Sequence, residues 1–216
     1  MNNFRPRTWV KMCGLKRRVE VEKAVELGVD AIGLVFYPPS SRAIAPQQLS
    51  DVVGAQLNNT KVVGLFVNPT REEVEEVLGS GKVDYLQFHG DEAPEFCRSF
   101  SKPYLKALGV PQGASQEELV AMFSRYGDAE FILLDAYAPT QRGGTGHSFD
   151  WSQAAQLPLE CKARLLVAGG LTADNVGAAI NTVEPFGVDV SSGIERVKGE
   201  KDLELMHRFY KGVLSA

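Results

Sequence analysis

The chain has 216 residues, 44% of them hydrophobic, and 23 Lys+Arg against 27 Asp+Glu for a net charge of −4. That length and balance fit one globular domain with a sizeable core, and without a run of five like charges they exclude a charged tail or an electrostatic nucleic-acid surface. Three cysteines at irregular spacing, Cys13, Cys97 and Cys161, form neither a disulfide framework nor a Cys-x-x-Cys metal motif, which suits reduced thiols in a cytoplasmic protein.

In chain order, short β-branched runs at 9–12, 31–36, 61–67, 85–88, 104–108, 131–134, 165–168 and 188–190 read as eight strands. Most are continuously apolar, as strands covered on both faces must be. Helical patterns fill the intervals. Gly28, Gly79 and Gly127 follow such patterns and are expected as left-handed helix ends. Pro46 suits a first turn ahead of Leu49, Val52, Val53 and Leu57, which share a helical face. Thr70 with Glu73, and Ser115 with Glu118, have the spacing of capping boxes. Leu119, Met122, Phe123 and Tyr126 form an apolar stripe before Gly127. Residues 172–175 look like a further helix start, and Leu203, Leu205, Met206, Phe209, Tyr210 and Val213 supply the last stripe. The N-terminal MNNFRPRTWV lacks an apolar signal core, and no apolar run approaches the roughly 20 residues of a membrane span, so no membrane partner is expected.

Eight strand–helix repeats leave roughly 27 residues for each, enough for a strand, a helix and two short loops. The expected fold is therefore α/β, an eight-stranded parallel βα barrel (TIM barrel) forming one domain over residues 1–216. The alternative is a doubly wound open sheet. It usually announces its nucleotide loop with Gly-x-Gly-x-x-Gly after the first strand, where this chain has Cys13-Gly14-Leu15-Lys16.

In a barrel, chemistry gathers in the loops that follow the strands. Lys11, Cys13 and Gly14 close the first strand. Ser40, Ser41 and Arg42 follow the second, and Gln87, His89 and Gly90 end the fourth. Lys106 lies near the end of the fifth strand and Asp135 ends the sixth. The last three loops are the glycine-rich 143–146, 169–172 and 191–193. Glycine lets successive backbone N–H groups close on an anion, and the loops after strands seven and eight are where barrels commonly hold phosphate. A sugar phosphate or similar small molecule is the expected substrate class.

The ordered motifs Lys11-Met12-Cys13-Gly14, Ser40-Ser41-Arg42, Gln87-Phe88-His89-Gly90, Leu133-Leu134-Asp135, Gly143-Gly144-Thr145-Gly146, Ala168-Gly169-Gly170-Leu171 and Asp189-Val190-Ser191-Ser192-Gly193-Ile194-Glu195 resemble those of the phosphoribosylanthranilate isomerases. The resemblance runs from about Trp9 to the C-terminal helix. It implies an Amadori rearrangement of tryptophan biosynthesis that needs an acid, a base, no cofactor and no metal. By that resemblance Asp135 is the general acid, which must be held partly protonated against an ordinary carboxyl value of about 3.9. Cys13 is the general base, a role that calls for positive charge nearby, from Lys11 or Lys16. Arg42 binds the anthranilate end, with His89 and Asp189 as further substrate contacts. Gly144, Gly146, Gly170, Ser192 and Gly193 hold the phosphate. The family commonly has Thr, Ser or Asn where this chain has Lys16, a departure that bears on helix capping.

Each of these residues has an ordinary alternative. Cys13 can be a small buried hydrophobe, Asp135 a loop cap and His89 a hydrogen-bonded structural residue. Cys97 and Cys161 fall in helical segments and read as packing. Two competing functions remain open from sequence: a Schiff-base aldolase using Lys106, and a non-catalytic phosphate-ligand binding barrel. The chain is expected to act as a monomer, with oligomers left open.

Overall fold

The structure, a computed structural model, describes residues 7–54, 56–111, 113–136 and 151–216. Eight parallel strands close into a barrel in chain order: β1 (Trp9–Cys13), β2 (Ala31–Val35), β3 (Lys61–Phe66), β4 (Tyr85–Phe88), β5 (Tyr104–Val110), β6 (Phe131–Ala136), β7 (Leu165–Val167) and β8 (Gly187–Val190). Closure is made by β8 against β1, with Lys11 opposite Asp189 and Met12 opposite Val190. The open-sheet alternative is thereby excluded.

Both faces of each strand are buried, and alternation sorts the side chains. One set, including Ala31, Val63, Leu105, Ala107, Phe131, Leu133, Leu166 and Ala168, fills the barrel interior. The intervening set, including Val10, Met12, Ile32, Leu34, Val62, Phe66, Leu86, Phe88, Ile132 and Leu134, packs under the helices. At the N-terminal end of the barrel Trp9, Phe131 and Phe186 close the interior, with ring centroids 5.2 Å apart for Trp9–Phe131 and 4.8 Å for Phe131–Phe186. At the opposite end Cys13, Val35 and Leu65 form a small layer beneath the mouth.

The surrounding helices include α1 (Arg18–Leu27), α2 (Leu49–Val53), α3 (Arg71–Leu78), α4 (Pro94–Arg98), α5 (Gln116–Arg125), α6 (Trp151–Ala155), α7 (Leu159–Lys162), α8 (Val176–Val183) and α9 (Leu203–Leu214). Both capping boxes form. The Thr70 hydroxyl accepts from Glu73 N at 3.2 Å while Thr70 N donates to the Glu73 carboxylate at 2.7 Å, and Ser115 and Glu118 repeat the pattern at the same distances. Cys97 and Cys161 are buried on α4 and α7, as expected of packing residues.

Several local expectations need correction. Gly28 does end α1 in the left-handed conformation, φ +78°. Gly79, however, caps α3 with φ −59°, and the left-handed residue is Gly81 two positions on. α5 ends on Tyr126, whose ring is buried, so Gly127 is not the cap and is not left-handed. Pro46 opens a short 3-10 turn, Pro46–Gln48, and α2 begins only at Leu49. Residues 172–175 do lead into a helix, as expected: Thr172 N donates to Asn175 Oδ1 at 2.7 Å, Val176 N donates to Thr172 O at 3.1 Å, and α8 runs on from Val176. One element was not expected. A small hairpin, β9 (Glu195–Val197) and β10 (Glu200–Lys201), stands between β8 and α9.

Candidate active site

The first loop is shaped by β1 and its neighbours. Cys13 ends β1 with its thiol turned inward and 4% of its surface exposed, paired in register with Gly33 of β2. A Cβ on Gly33 would stand 2.6 Å from Cys13 Sγ, so the missing side chain is the space the thiol occupies. Two residues back, Lys11 is fully buried in the interior, its ammonium 2.7 Å from Asp189 Oδ1. Burial opposes the Lys11 charge, but Asp189 and then Cys13 hold its pKa above the ordinary lysine value. Burial also raises the Cys13 thiol above its usual range. Lys11 and Lys201 pull it down, and Asp189 adds to the rise.

Of the two lysines expected to serve Cys13, only Lys11 faces it. Lys16 instead donates from Nζ to Ser41 O at 3.0 Å, and its backbone N–H donates to Glu20 Oε2 at 2.7 Å. Buried Glu20 also takes Arg17 N and Nε, so a glutamate from within α1 satisfies the helix start that a hydroxyl side chain at position 16 would otherwise serve.

Across the mouth, Asp135 stands on β6, separated from β1 by β7 and β8 on one side and by β2 to β5 on the other. Its Oδ2 lies 3.4 Å from His89 Nε2, the histidine following β4. His89 Nδ1 in turn lies 3.4 Å from Gln87 Nε2, and Gln87 is fully buried. The structure thus joins His89 to the carboxylate expected as general acid.

Arg42, 7% exposed, follows β2. Its Nε and one Nη2 hydrogen meet the two oxygens of Glu195 at 2.6 and 2.8 Å. The expected carboxylate-binding fork is therefore engaged along one edge, and Nη1 is the part of the guanidinium without a partner among the described residues. Burial raises the Glu195 carboxyl, but its bonds to Arg42 and Lys201 prevail and hold it at about 2. Burial likewise pushes Lys201 below the usual lysine value despite Glu195.

Asp189, expected as a substrate contact, is the counter-ion of Lys11. Gly169 and Gly170 are both left-handed, φ +78° and +71°, and among the described residues neither amide donates to a backbone carbonyl. This arrangement makes a nest of N–H groups ahead of the α8 N-terminus. Gly193 sits in the short turn Ser192–Ile194, where a Cβ would fall 1.8 Å from Leu171 O, so the loops after β7 and β8 touch. Gly144 and Gly146 lie outside the described residues.

Lys106 does not belong to the mouth. It alternates with Leu105 and Ala107, which line the interior, so its side chain leaves the barrel on the helix side. Its ammonium donates to Gly90 O at 2.6 Å, Glu92 Oε2 at 2.9 Å and Phe88 O at 3.2 Å. The Schiff-base reading is thereby overturned. Sequence reasoning missed Glu195 and Lys201 as members of the site. Glu195 carried one signal, its place at the end of the motif over residues 189–195, whereas Lys201 lies in a short charged stretch, residues 198–201, whose Lys198 and Glu200 are exposed.

The closed βα barrel, with a thiol at the end of β1, a carboxylate near the end of β6 and glycine loops after its last two strands, has the build of a phosphate-binding barrel enzyme. Residues 10–212 match the family described as N-(5'phosphoribosyl)anthranilate (PRA) isomerase. The N-(5'-phosphoribosyl)anthranilate isomerase of Azotobacter vinelandii is 47% identical over 206 residues, covering 95% of this chain and 97% of that protein. That of Nitrosococcus oceani is 43% identical, with 96% and 98% covered. A crystal structure of phosphoribosyl anthranilate isomerase with reduced 1-(o-carboxyphenylamino)-1-deoxyribulose 5-phosphate superposes with a TM-score of 0.80 at 33% identity, covering 97% of this chain and 100% of that one. The chain belongs to the phosphoribosylanthranilate isomerase family. It is an enzyme, an isomerase of tryptophan biosynthesis.

Proposed function

We propose that the residues around this mouth convert N-(5'-phosphoribosyl)anthranilate to 1-(2-carboxyphenylamino)-1-deoxyribulose 5-phosphate by acid–base catalysis, with Asp135 as acid and Cys13 as base. Asp135 delivers its proton to the furanose ring oxygen. The ring C–O bond breaks as the nitrogen lone pair forms C1′=N, giving a protonated Schiff base. Cys13, as thiolate, removes the C2′ proton, and those electrons form C1′=C2′ while the nitrogen recovers its pair. The resulting enolamine tautomerises to the ketose. Only protons move, so the chemistry calls for no redox group or metal.

The supporting observation is the placement of the two groups on opposite sides of one mouth, on β1 and β6, as attack at two separate sugar atoms requires. His89, 3.4 Å from Asp135, stabilises the carboxylate left after proton delivery. The cationic Schiff base and the Lys11 ammonium together offset the burial that keeps the resting thiol protonated. Arg42 takes the anthranilate carboxylate through Nη1. Gly170, Ser192 and Gly193, with Gly144 and Gly146, hold the phosphate. Asp189 keeps Lys11 charged beneath Cys13 and contacts the substrate from β8.

Residues 1–216 act as one barrel domain, as a monomer in the cytoplasm, on a phosphorylated aminosugar. No helix among the described residues is long and apolar enough to cross a membrane. The test is the loss of phosphoribosylanthranilate fluorescence on adding the purified chain, with the product identified by mass and by its ketose chemistry. Turnover to the ketose supports the reading. Saturable binding of substrate with no turnover by the folded protein overturns it in favour of a binding barrel.

A further inference from the structure

The β9–β10 hairpin is a feature of the mouth that the reaction itself does not call for. Its last residue, Lys201, has a fully buried side chain although Lys198 and Glu200 beside it are exposed. An ammonium removed from water is strongly destabilising unless every donor is met, and an apolar side chain of similar size would anchor a hairpin with no such penalty. Lys201 meets three acceptors: Glu195 Oε1 at 2.7 Å, Ser191 O at 2.9 Å and Ser191 Oγ at 3.2 Å. Each leads to a different part of the site. Glu195 carries Arg42 at 2.6 and 2.8 Å. Ser191 begins the loop that contains Ser192 and Gly193. The Ser191 hydroxyl donates onward to Cys13 O at 3.1 Å. The hairpin is itself pinned, with Gly199 N donating to Glu195 Oε2 at 3.1 Å and Arg17 donating to Lys201 O at 3.1 Å.

Charge points the same way. Arg42 and Glu195 alone are a neutral pair, with little net attraction for an anion. Adding Lys201 leaves the cluster one positive charge in excess, matching the single carboxylate of the anthranilate ring. We propose that Lys201 is a positioning residue that locks Arg42, through Glu195, to the phosphate loop and the Cys13 strand end, so that the two ends of the substrate are gripped at a fixed separation. The inference rests on the roles given above to Arg42 and the Ser192–Gly193 loop.

The test is a double-mutant cycle read in kcat and KM on phosphoribosylanthranilate: wild type, Lys201→Met, Arg42→Ala and both together. If Lys201 acts through Arg42, Lys201→Met raises KM about tenfold or more in the wild-type background and less than about threefold once Arg42 is absent. Lys201→Arg, which restores charge and donors, brings KM back to within about threefold of wild type. Equal losses from Lys201→Met in both backgrounds mean a merely structural anchor and overturn the proposal, as does an unchanged KM in the folded single variant. If Lys201→Met does not fold, Lys201→Gln, which keeps two donors without the charge, carries the same cycle with the same two outcomes. A wild-type KM in Arg42→Ala alone would instead refute the role given to Arg42, and with it the route through which Lys201 is proposed to act.

Discussion

Replacing Gly33 by alanine tests whether the position of the Cys13 thiol sets the rate. The backbone at Gly33 is ordinary strand, so alanine meets no conformational objection there. The added methyl would lie 2.6 Å from Cys13 Sγ, 3.1 Å from Cys13 Cα and 3.2 Å from Cys13 Cβ. Turning the thiol relieves only the first contact. The other two require β1 and β2 to part, and the sulfur must shift by about 1 Å, a displacement that in a catalytic group costs on the order of a hundredfold. Overpacking of this kind also destabilises by about 1–3 kcal/mol, or roughly 2–12 °C in Tm for a domain of this size. Gly33→Ala is therefore expected to fold, to melt a few degrees lower, and to lose about two orders of magnitude in kcat with a smaller change in KM. Thermal melting by circular dichroism and steady-state kinetics on the same preparation read both. Wild-type kcat in the folded variant would refute the reasoning, because it would mean that the thiol need not occupy that space.

Other expectations follow from the same geometry. Cys13→Ser should slow turnover severely while Arg42→Ala raises KM more than Cys13→Ser does, a split that steady-state kinetics resolves. Because burial raises the Cys13 thiol above its usual range, alkylation of that cysteine, read as the difference between wild type and Cys13→Ser, should be slow at neutral pH and quicken as pH rises; fast alkylation of the folded protein at pH 7 would contradict a protonated resting thiol. The Glu195 carboxyl is held at about 2 against an ordinary value of 4.5, so the unfolded chain takes up that proton first as pH falls. Its contribution, of order 1–3 kcal/mol, is full above about pH 4.5 and declines toward pH 2, and denaturant titrations of wild type and Glu195→Gln should converge at the acid end. Lys106→Met leaves Glu92 buried and unpaired outside the barrel, so it should cost about 3–5 kcal/mol of stability while kcat stays within about threefold, and borohydride should trap no adduct.

The strands were legible because a parallel barrel buries both strand faces, which writes each as a short apolar run; all eight lie within two residues of their expected ends. Thr70 and Ser115 were legible because a capping box is local, needing only a residue and its third neighbour. Gly79 and Gly127 were misjudged because glycine permits a left-handed cap without demanding one, and at α5 the buried Tyr126 ring takes the cap position instead. The Lys106 error has a different source. One position along a strand decides between the mouth and the helix side, and a lysine at a strand end carries no mark of its parity until the register of β5 is known. Lys201 was hidden for the opposite reason. Its partners Glu195 and Ser191 are six and ten residues away, and only the hairpin folds its ammonium under the mouth, so within the charged run at residues 198–201 it looks like solvated surface.

The most direct measurement is kcat for Asp135→Asn in the fluorescence assay of phosphoribosylanthranilate consumption. Asparagine keeps the shape beside His89 but has no acidic proton for the ring oxygen. A fall in kcat of at least about a hundredfold with modest change in KM is expected. Near-normal turnover would contradict it.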